Sequence, residues 1–167
     1  DLTLPAHGNL QGLATMMIGN DLIVMPRLRD DPDAPPAADR FAGTRLQTKD
    51  SAVHVTCHAV HAIDLKEGGL RWSREFDVPW GCTISQPAET PVIVLARSVR
   101  KHGGVRPSSR KVLDVLALDV GTGDIRYEKL DREIVASNNQ LQTRLAVQPA
   151  MNRVVARIGP EMVTLMF

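Results

Sequence analysis

The residues best suited to chemistry lie together in the segment 54–61. His54, His58 and His61 surround Cys57, and imidazole and thiolate groups are common ligands of transition metals. In an extended strand, however, side chains alternate between faces, so His54 and His58 share one face while Cys57 and His61 share the other. Because neither face offers three ligands, we expect hydrogen-bonded, partly buried histidines rather than a metal site.

The two cysteines permit only limited chemistry. Cys57 and Cys82 lie 25 residues apart, and neither belongs to a CxxC pair. A tetrahedral zinc site built on cysteines within this chain is therefore excluded. Buried free thiols and a disulfide both remain open, because the sequence does not reveal the redox compartment.

Nucleophilic and acid–base catalysis find little support. Ser85 and Ser98 lie near apolar runs, but no Gly-x-Ser-x-Gly elbow surrounds either of them. Asp30 and Asp31 are adjacent carboxylates in a Pro-rich stretch, which is poorly suited to hold two acids in a fixed geometry. The residue pattern therefore favours a role other than catalysis.

The composition indicates one globular domain. The chain has 167 residues, of which 43% are hydrophobic and 4% aromatic, with a formal net charge of +1. That length is enough to bury a core, and the near-neutral charge excludes a globally basic nucleic-acid binder. No apolar run approaches the roughly 20 residues that a membrane-spanning helix needs.

Short apolar runs with strand lengths alternate with turn residues along the chain. Only 129–136 has any helical character, and it is short and interrupted by charges. The pattern therefore predicts an all-β fold. The predicted strand-forming runs are 16–25 around a turn, 53–65, 92–96, 112–118, 145–147, 154–158 and 162–167.

Two internal repeats determine the predicted architecture. A first marker recurs at an offset of 55 residues, and Gln86-Pro87-Ala88 recurs as Gln148-Pro149-Ala150 at an offset of 62. Two independent markers with similar offsets indicate repeated structural units. The positions in register in the first marker are Ala62 with Ala117, Asp64 with Asp119, Gly68 with Gly123, Arg71 with Arg126, and Trp72 with Tyr127.

Turn chemistry explains the first marker. The aspartate ends a strand and can accept hydrogen bonds from backbone amides, while the glycine supplies a turn geometry that other residues resist. The aromatic residue then ends the next strand and can lie over the neighbouring sheet. Each unit is thus predicted to be a strand, a hairpin and a strand with an aromatic contact to its neighbour; two unrelated hairpins are the alternative.

These segments resemble the β-propeller repeat of the PQQ-like (quinoprotein) superfamily, whose tryptophan-docking motif runs Ala-x-Asp-x-x-Thr-Gly-x-x-x-Trp. One copy matches the motif at Ala117, Asp119, Thr122 and Gly123, with Tyr127 in place of Trp. The other copy matches at Ala62, Asp64, Gly68 and Trp72 and carries Glu67 in place of Thr. The resemblance implies a partial propeller of four-stranded antiparallel blades, each closed by this motif.

The repeat length bounds the number of blades. At 55 to 62 residues each, the chain holds two to three, approximately 13–80, 81–137 and an incomplete 138–167. Propellers close with about four to eight blades. The chain starts without Met, and its last run is apolar, so we expect part of a longer protein, completed by further blades in the same polypeptide or by other subunits.

Two composition-biased insertions mark a candidate partner surface. The segment 26–51 is acidic and Pro-rich, and the segment 97–111 is basic; equivalent loops of repeats emerge on one rim, where repeat proteins often bind partners. Solvated loops that pair acid with base across neighbouring blades are the alternative. Because the basic segment lacks aromatic residues for base stacking, a protein partner is favoured over nucleic acid. The candidate partner-binding residues are Asp30, Asp31, Asp33, Arg97, Arg100, Lys101, His102, Arg106 and Arg110.

The resemblance suggests two functions. One is a non-catalytic scaffold or binding module, for which no cofactor is expected in this chain. The other is a segment of a PQQ-dependent oxidoreductase, whose relatives use adjacent cysteines, a stacking Trp and calcium ligands; this chain has no adjacent cysteines, and Trp80 lies in an expected turn, 79–82. Such propellers are commonly exported, so the resemblance favours a periplasmic or extracellular location.

Overall fold

The computed structural model describes residues 10–28, 54–83, 89–102, 109–133, 143–158 and 161–166, and their fold is all-β. One short 3-10 turn, Pro149–Met151, joins two of the strands. The all-β prediction is therefore confirmed. The strands are β1 (Leu10–Ile18), β2 (Asp21–Leu28), β3 (His54–Asp64), β4 (Gly69–Thr83), β5 (Val92–His102), β6 (Ser109–Asp119), β7 (Ile125–Glu133), β8 (Thr143–Gln148), β9 (Arg153–Ile158) and β10 (Glu161–Met166).

The strands form two antiparallel sheets in which neighbours in sequence are neighbours in space. Strands β1 to β7 make a seven-stranded meander, and β8 to β10 make a three-stranded one. Local turn chemistry accounts for the first hairpin, because Gly19 adopts a left-handed φ of 57° between β1 and β2. The predicted strand runs fall in these strands except for Leu65, which lies in the turn after β3, and for Val53 and Phe167, which lie outside the described residues.

Strand β4 links two parts of the seven-stranded sheet. It is 15 residues long and follows β3 along its length, with a break in register beside Ala59. Its pairing with β5 is limited to Gly81 with Ala96 and Cys82 with Leu95. The sheet can therefore turn sharply at this narrow junction.

A first core fills the space between the two parts of this sheet. Alternate residues of β1 to β3 contact alternate residues of β5 and β6, so the two parts pack face to face. Its buried members are Met16, Ile18, Ile23, Met25, Cys57, Val60, Ala62, Trp80, Cys82, Ile93, Leu95, Leu116, Leu118 and Val120.

A second core lies on the opposite face of β5 and β6, between these two strands and the three-stranded sheet. Because both faces of β5 and β6 are covered, their central residues are almost all buried. The molecule thus has three stacked layers: β1–β3 with the start of β4, then β5–β7, then β8–β10. The second core consists of Val92, Val94, Ala96, Leu113, Val115, Ala117, Val154, Ala156, Ile158, Val163 and Leu165.

Two segments expected to be loops or turns are strands. Residues 79–82 belong to β4, where Trp80 pairs with Cys57 and is buried. The basic segment 97–111 continues β5 to His102 and resumes in β6 at Ser109, because apolar cross-strand pairs such as Val99 with Val112 extend the hairpin. Residues 103–108 lie outside the described part. Among the described residues, no helix is long and apolar enough to cross a membrane.

Candidate functional site

The first copy of the repeated turn is built around Asp64. Its Oδ1 accepts hydrogen bonds from the backbone amides of Lys66 and Glu67, at 2.8 and 3.1 Å. Its carbonyl oxygen accepts a third from the Gly68 amide, at 2.8 Å, and Gly68 has a left-handed φ of 73°. The aspartate therefore organises the turn, and the glycine permits its backbone geometry.

The second copy repeats this arrangement at Asp119. Oδ1 accepts from the amides of Gly121 and Thr122, at 2.8 and 3.0 Å, and the carbonyl accepts from the Gly123 amide, at 2.8 Å. Gly123 has a φ of 75°. The Thr122 hydroxyl adds a contact of its own by donating to Asp124 Oδ2, at 2.7 Å. The predicted turn chemistry is confirmed at both copies.

The repeated arginine of each copy forms an ion pair with the aspartate of the turn, a contact that the sequence pattern alone did not predict. Arg126 Nη2 and Nε both lie against Asp119 Oδ2, at 2.8 and 2.9 Å. Arg71 forms the equivalent ion pair with Asp64 Oδ2 and also lies 3.2 Å from Oδ1 of the buried Asp21. Arg71 thus joins the turn to the start of β2.

These contacts lower the pKa of both turn carboxylates. For Asp64, the hydrogen bond from the Glu67 amide is the largest cause, followed by that from Arg71. For Asp119, burial acts to raise the pKa, but the hydrogen bonds from Arg126 and the turn amides outweigh it. Both groups are accordingly favoured in their charged form.

The aromatic residue of each copy lies directly across from the repeated alanine. Ala62 pairs with Trp72, and Ala117 pairs with Tyr127; both alanines are fully buried. Each pairing is followed by an irregularity in register that re-aims the strand. A small residue opposite a large ring leaves room for the ring to lie over the sheet.

Trp72 reaches the turn of the second copy. Its Nε1 donates a hydrogen bond to the backbone carbonyl of Val120, at 2.7 Å. The indole also lies so close to Gly123 that a Cβ there would come within 2.6 Å of two ring carbons. Position 123 therefore requires glycine for two reasons: its backbone is left-handed, and the Trp72 ring leaves no room for a Cβ.

Tyr127, the aromatic residue of the second copy, lies on β7 opposite Ala117. It is half-buried and packs against the second core, which contains residues of β9 and β10. Tyr127 therefore packs against the core that lies between the β5–β7 layer and the three-stranded sheet.

Two members of the histidine and cysteine cluster, Cys57 and His61, are buried side chains of β3. His61 is fully buried, and its Nδ1 lies 2.8 Å from the Ser73 hydroxyl, as expected for a hydrogen-bonded core histidine. Cys57 is buried in the first core, and His58 is half-buried. In the described ranges, no three His, Cys, Asp or Glu side chains are grouped to hold a metal ion.

Cys57 and Cys82 are buried and are not joined in a disulfide. Cys82 pairs with Val55 and Cys57 pairs with Trp80, so the cysteines occupy diagonal positions across β3 and β4. Diagonal neighbours lie about 7–8 Å apart, beyond the roughly 7 Å that a disulfide can span. Burial, together with the proximity of Cys82, raises the pKa of Cys57 and keeps it protonated.

Arg97, one of the candidate partner-binding residues, is held within the fold. Its Nε donates to Asp114 Oδ2, at 2.7 Å, and its guanidinium lies 4.6 Å from the centre of the Trp80 ring. Asp114 Oδ1 accepts from the backbone amide of Asp131, which adopts a left-handed φ of 62° in β7. Arg97, on β5, thus contacts side chains of β4 and β6 and does not lie in a loop.

The remaining basic candidates fall at the end of the β5–β6 hairpin. The register places Arg100 opposite Lys111, Lys101 opposite Arg110, and His102 opposite Ser109. The register of the hairpin therefore places four cationic residues in two successive cross-strand pairs. The candidates Asp30, Asp31, Asp33 and Arg106 lie outside the described residues.

Trp80 is not available as a floor for a planar cofactor. It is 5% exposed, Arg97 covers its ring, and Phe76 lies tilted against it with ring centres 6.3 Å apart. A quinone could stack on this ring only by displacing Arg97 from its ion pair. The residues around Trp80 therefore do not fit a PQQ seat.

Comparison with known proteins identifies no relative of this chain. No family model, no curated protein sequence and no solved structure matches it.

Proposed function

We propose that this chain is part of a β-propeller of the PQQ-like repeat type and acts as a non-catalytic scaffold and binding module. In this proposal the three layers are successive blades, approximately 13–80, 81–137 and an incomplete 138–167. The observation that carries it is the docking of Trp72 on Val120 and Gly123, because it joins one repeat to the turn of the next.

The stacking of the layers supports the proposal. The two faces of β5 and β6 contact different layers, as expected for a blade between two others. Strand β4 provides the passage between blades, since its beginning pairs with β3 and its end also pairs with β5. Further blades, in the same polypeptide or in other subunits, would continue the ring.

The β5–β6 hairpin supports a binding role. Strands β5 and β6 are each 11 residues long, whereas β9 and β10 in the third layer have 6 each. The added length lies at the end of the hairpin where Arg100 pairs with Lys111 and Lys101 pairs with Arg110 in the strand register. Projecting segments on a rigid scaffold are typical of binding surfaces.

Capture experiments test the binding role. The full chain and its triple variant Arg100→Glu/Lys101→Glu/Arg106→Glu are immobilised and exposed to extract from the source cells, and captured proteins are quantified by mass spectrometry. We expect specific proteins to be captured by the wild type and lost by the variant, with circular dichroism unchanged. Equal capture by both would refute this surface as the binding site.

A cofactor titration tests the alternative, a segment of a PQQ-dependent oxidoreductase. PQQ and calcium are added to the full chain while quinone absorbance and Trp fluorescence are recorded. We expect no saturable change, because Arg97 and Phe76 occupy the surroundings of Trp80. Tight saturable binding would overturn the scaffold proposal.

A further inference from the structure

We infer that the turn of the first copy, residues 65–68, is a docking site for a tryptophan side chain that a β-strand of a further repeat unit presents. This inference rests on the proposed stacking of repeat units and names the residue that the further unit supplies. The evidence is a comparison of the two copies, because the equivalent turn of the second copy, residues 120–123, already holds the indole of Trp72.

The two turns have the same backbone. Gly68 and Gly123 have φ values of 73° and 75°, and the amide of each donates to the aspartate carbonyl at 2.8 Å. The residue after the aspartate also donates its amide to a carbonyl of another segment, at 3.2 Å from Leu65 and 3.0 Å from Val120. The Leu65 carbonyl is therefore the equivalent of the Val120 carbonyl that accepts the Trp72 indole.

The two turns differ in what covers them. Val120, whose carbonyl accepts the indole, is 8% exposed, whereas Leu65 at the equivalent position is 53% exposed. A Cβ at Gly123 would meet the indole at 2.6 Å, whereas a Cβ at Gly68 would meet no described atom within 4 Å. The first turn thus leaves open the space that the indole fills at the second.

A nearby position provides an internal comparison. Leu70 and Ile125 each follow the turn glycine by two residues and are 39% and 44% exposed. The two copies are therefore similarly accessible beyond the turn. The difference in exposure is confined to the position that the docked indole covers.

The open surface at the first turn has the chemistry of an indole site. Leu65 offers exposed apolar surface, and Gly68 lets a ring approach the backbone because it has no Cβ. The Leu65 carbonyl can accept a hydrogen bond, and tryptophan is the aromatic residue that carries an indole N–H donor. Phenylalanine would fill the same space without satisfying this carbonyl.

The tryptophan has to come from a further unit, because both tryptophans of this chain are engaged. Trp72 occupies the second turn, and Trp80 is 5% exposed within the first core. A second copy of this chain in the same conformation would therefore present no available indole. Because Trp72 lies on β4 opposite the small Ala62, we expect the docking tryptophan to lie on a strand opposite a small residue.

Nuclear magnetic resonance of the full chain tests the inference with small probes. N-acetyltryptophanamide, its indole N-methyl analogue and N-acetylphenylalaninamide are titrated while the backbone amide shifts are recorded. We expect saturable shifts centred on Leu65 and Gly68 with the first probe. The other two should bind at least about fivefold more weakly, because their rings cannot donate to the Leu65 carbonyl. No shift at the first turn, or equal binding of the methylated analogue, would overturn the inference.

A glycine variant locates the ring. Gly68→Ala places a methyl group where the ring would lie and should weaken binding of N-acetyltryptophanamide at least about tenfold. The matched control is Gly69→Ala, which adds the same methyl group at the next position, where the backbone is not left-handed and no described atom lies within 4 Å. It should bind nearly as the wild type does. Equal binding by the two variants would refute the site.

A leucine variant keeps the test valid if Gly68→Ala impairs folding. Leu65→Gln changes an exposed side chain and should weaken binding at least about threefold, since apolar contact area is lost. Leu130→Gln makes the same change at a position on β7 that is 49% exposed, and it should leave binding unchanged. Equal effects of the two substitutions would contradict a contact between Leu65 and the probe.

The inference and the proposed function can fail separately. If the probes do not bind at the first turn but Trp72→Phe destabilises the chain, the docking site is wrong and the stacking of units stands. If Trp72→Phe leaves stability unchanged, the contact on which both rest is wrong.

Discussion

The indole nitrogen of Trp72 donates a hydrogen bond to the carbonyl of Val120, 48 residues further along the chain, with 2.7 Å between the two atoms. The same ring lies over Gly123, so the contact combines a polar and a steric component. The Trp72 side chain thus links the first repeat to the turn of the second. The contributions of its hydrogen bond and of its ring to stability can be measured separately.

Gly123→Ala should destabilise the protein more than Gly68→Ala. Both glycines have a left-handed φ, and a non-glycine residue in that conformation costs about 1–2 kcal/mol. A Cβ at Gly68 meets nothing within 4 Å, whereas one at Gly123 overlaps Trp72. We expect at least about 1 kcal/mol of additional loss for Gly123→Ala by urea denaturation. In a Trp72→Ala background this excess should disappear, and its persistence would contradict the steric contact.

Trp72→Phe should separate the hydrogen bond from the ring. It retains an aromatic side chain but leaves the Val120 carbonyl without its donor, at a cost of about 1 kcal/mol in the free energy of unfolding. Trp72→Ala should cost about 3 kcal/mol, near the lower limit for aromatic truncations because Trp72 is half-buried. Tyr127→Ala should cost a similar amount through the second core. Thermal denaturation provides an independent measurement, and an unchanged midpoint for Trp72→Ala would rule out the docking contact.

Asp114→Asn should be among the most damaging polar substitutions. It leaves the Arg97 guanidinium, whose side chain is 21% exposed, without its carboxylate. Breaking a buried pair costs about 3–5 kcal/mol, and the partial exposure of Arg97 places the expected loss at about 2–3 kcal/mol. Glu128→Gln, an exposed change on β7, is the control and should stay within about 0.5 kcal/mol of the wild type. Equal stability of the two variants would contradict a structural role for the pair.

Acid should weaken the fold through the turn carboxylates. Because folding lowers the pKa of Asp64 and Asp119 below the ordinary value of 3.8, their stabilising contribution is complete above that pH. It is lost as the pH falls through their folded pKa values, since the unfolded state then binds more protons. The free energy of unfolding should therefore decline below about pH 4.

Substitutions at the second turn test this assignment. Asp119→Asn removes the titrating group, and Arg126→Gln removes the partner whose hydrogen bonds lower its pKa. Both should be less stable than the wild type near neutral pH and should lose less further stability in acid. An acid slope as steep as that of the wild type in both variants would exclude Asp119 as a source of the decline.

The two thiols should react only when the fold opens. Cys57 and Cys82 are buried at 0% and 1% exposure, and the raised pKa of Cys57 disfavours the reactive thiolate. We expect slow modification by an aromatic disulfide reagent in native buffer and rapid modification of both thiols in urea. Rapid reaction of the native protein would contradict buried cysteines, and fewer than two reactive thiols after unfolding without reductant would contradict the absence of a disulfide.

The local features of this fold could be read from the sequence because they depend on neighbouring residues. Alternating apolar runs and turn residues predict the strands, and the repeated Asp and Gly predict the two turns, whose hydrogen bonds span only a few positions. The aromatic contact between units also follows from the repeat. The propeller arrangement, the binding role and the blade boundaries stay predictions.

Only the tertiary structure decided which distant residues meet. The acceptor for Trp72, the position of Arg97 between Asp114 and Trp80, and the diagonal placement of the two cysteines all depend on strand register and on how the layers stack. The many charges of the basic segment favoured a loop prediction. The cross-strand pair Val99–Val112, which extends the hairpin, depends on a register that the sequence pattern does not give. Turn geometry is set over a few residues, whereas register and stacking are set by the packing of the whole sheet, and for that reason the sequence pattern could not locate these contacts.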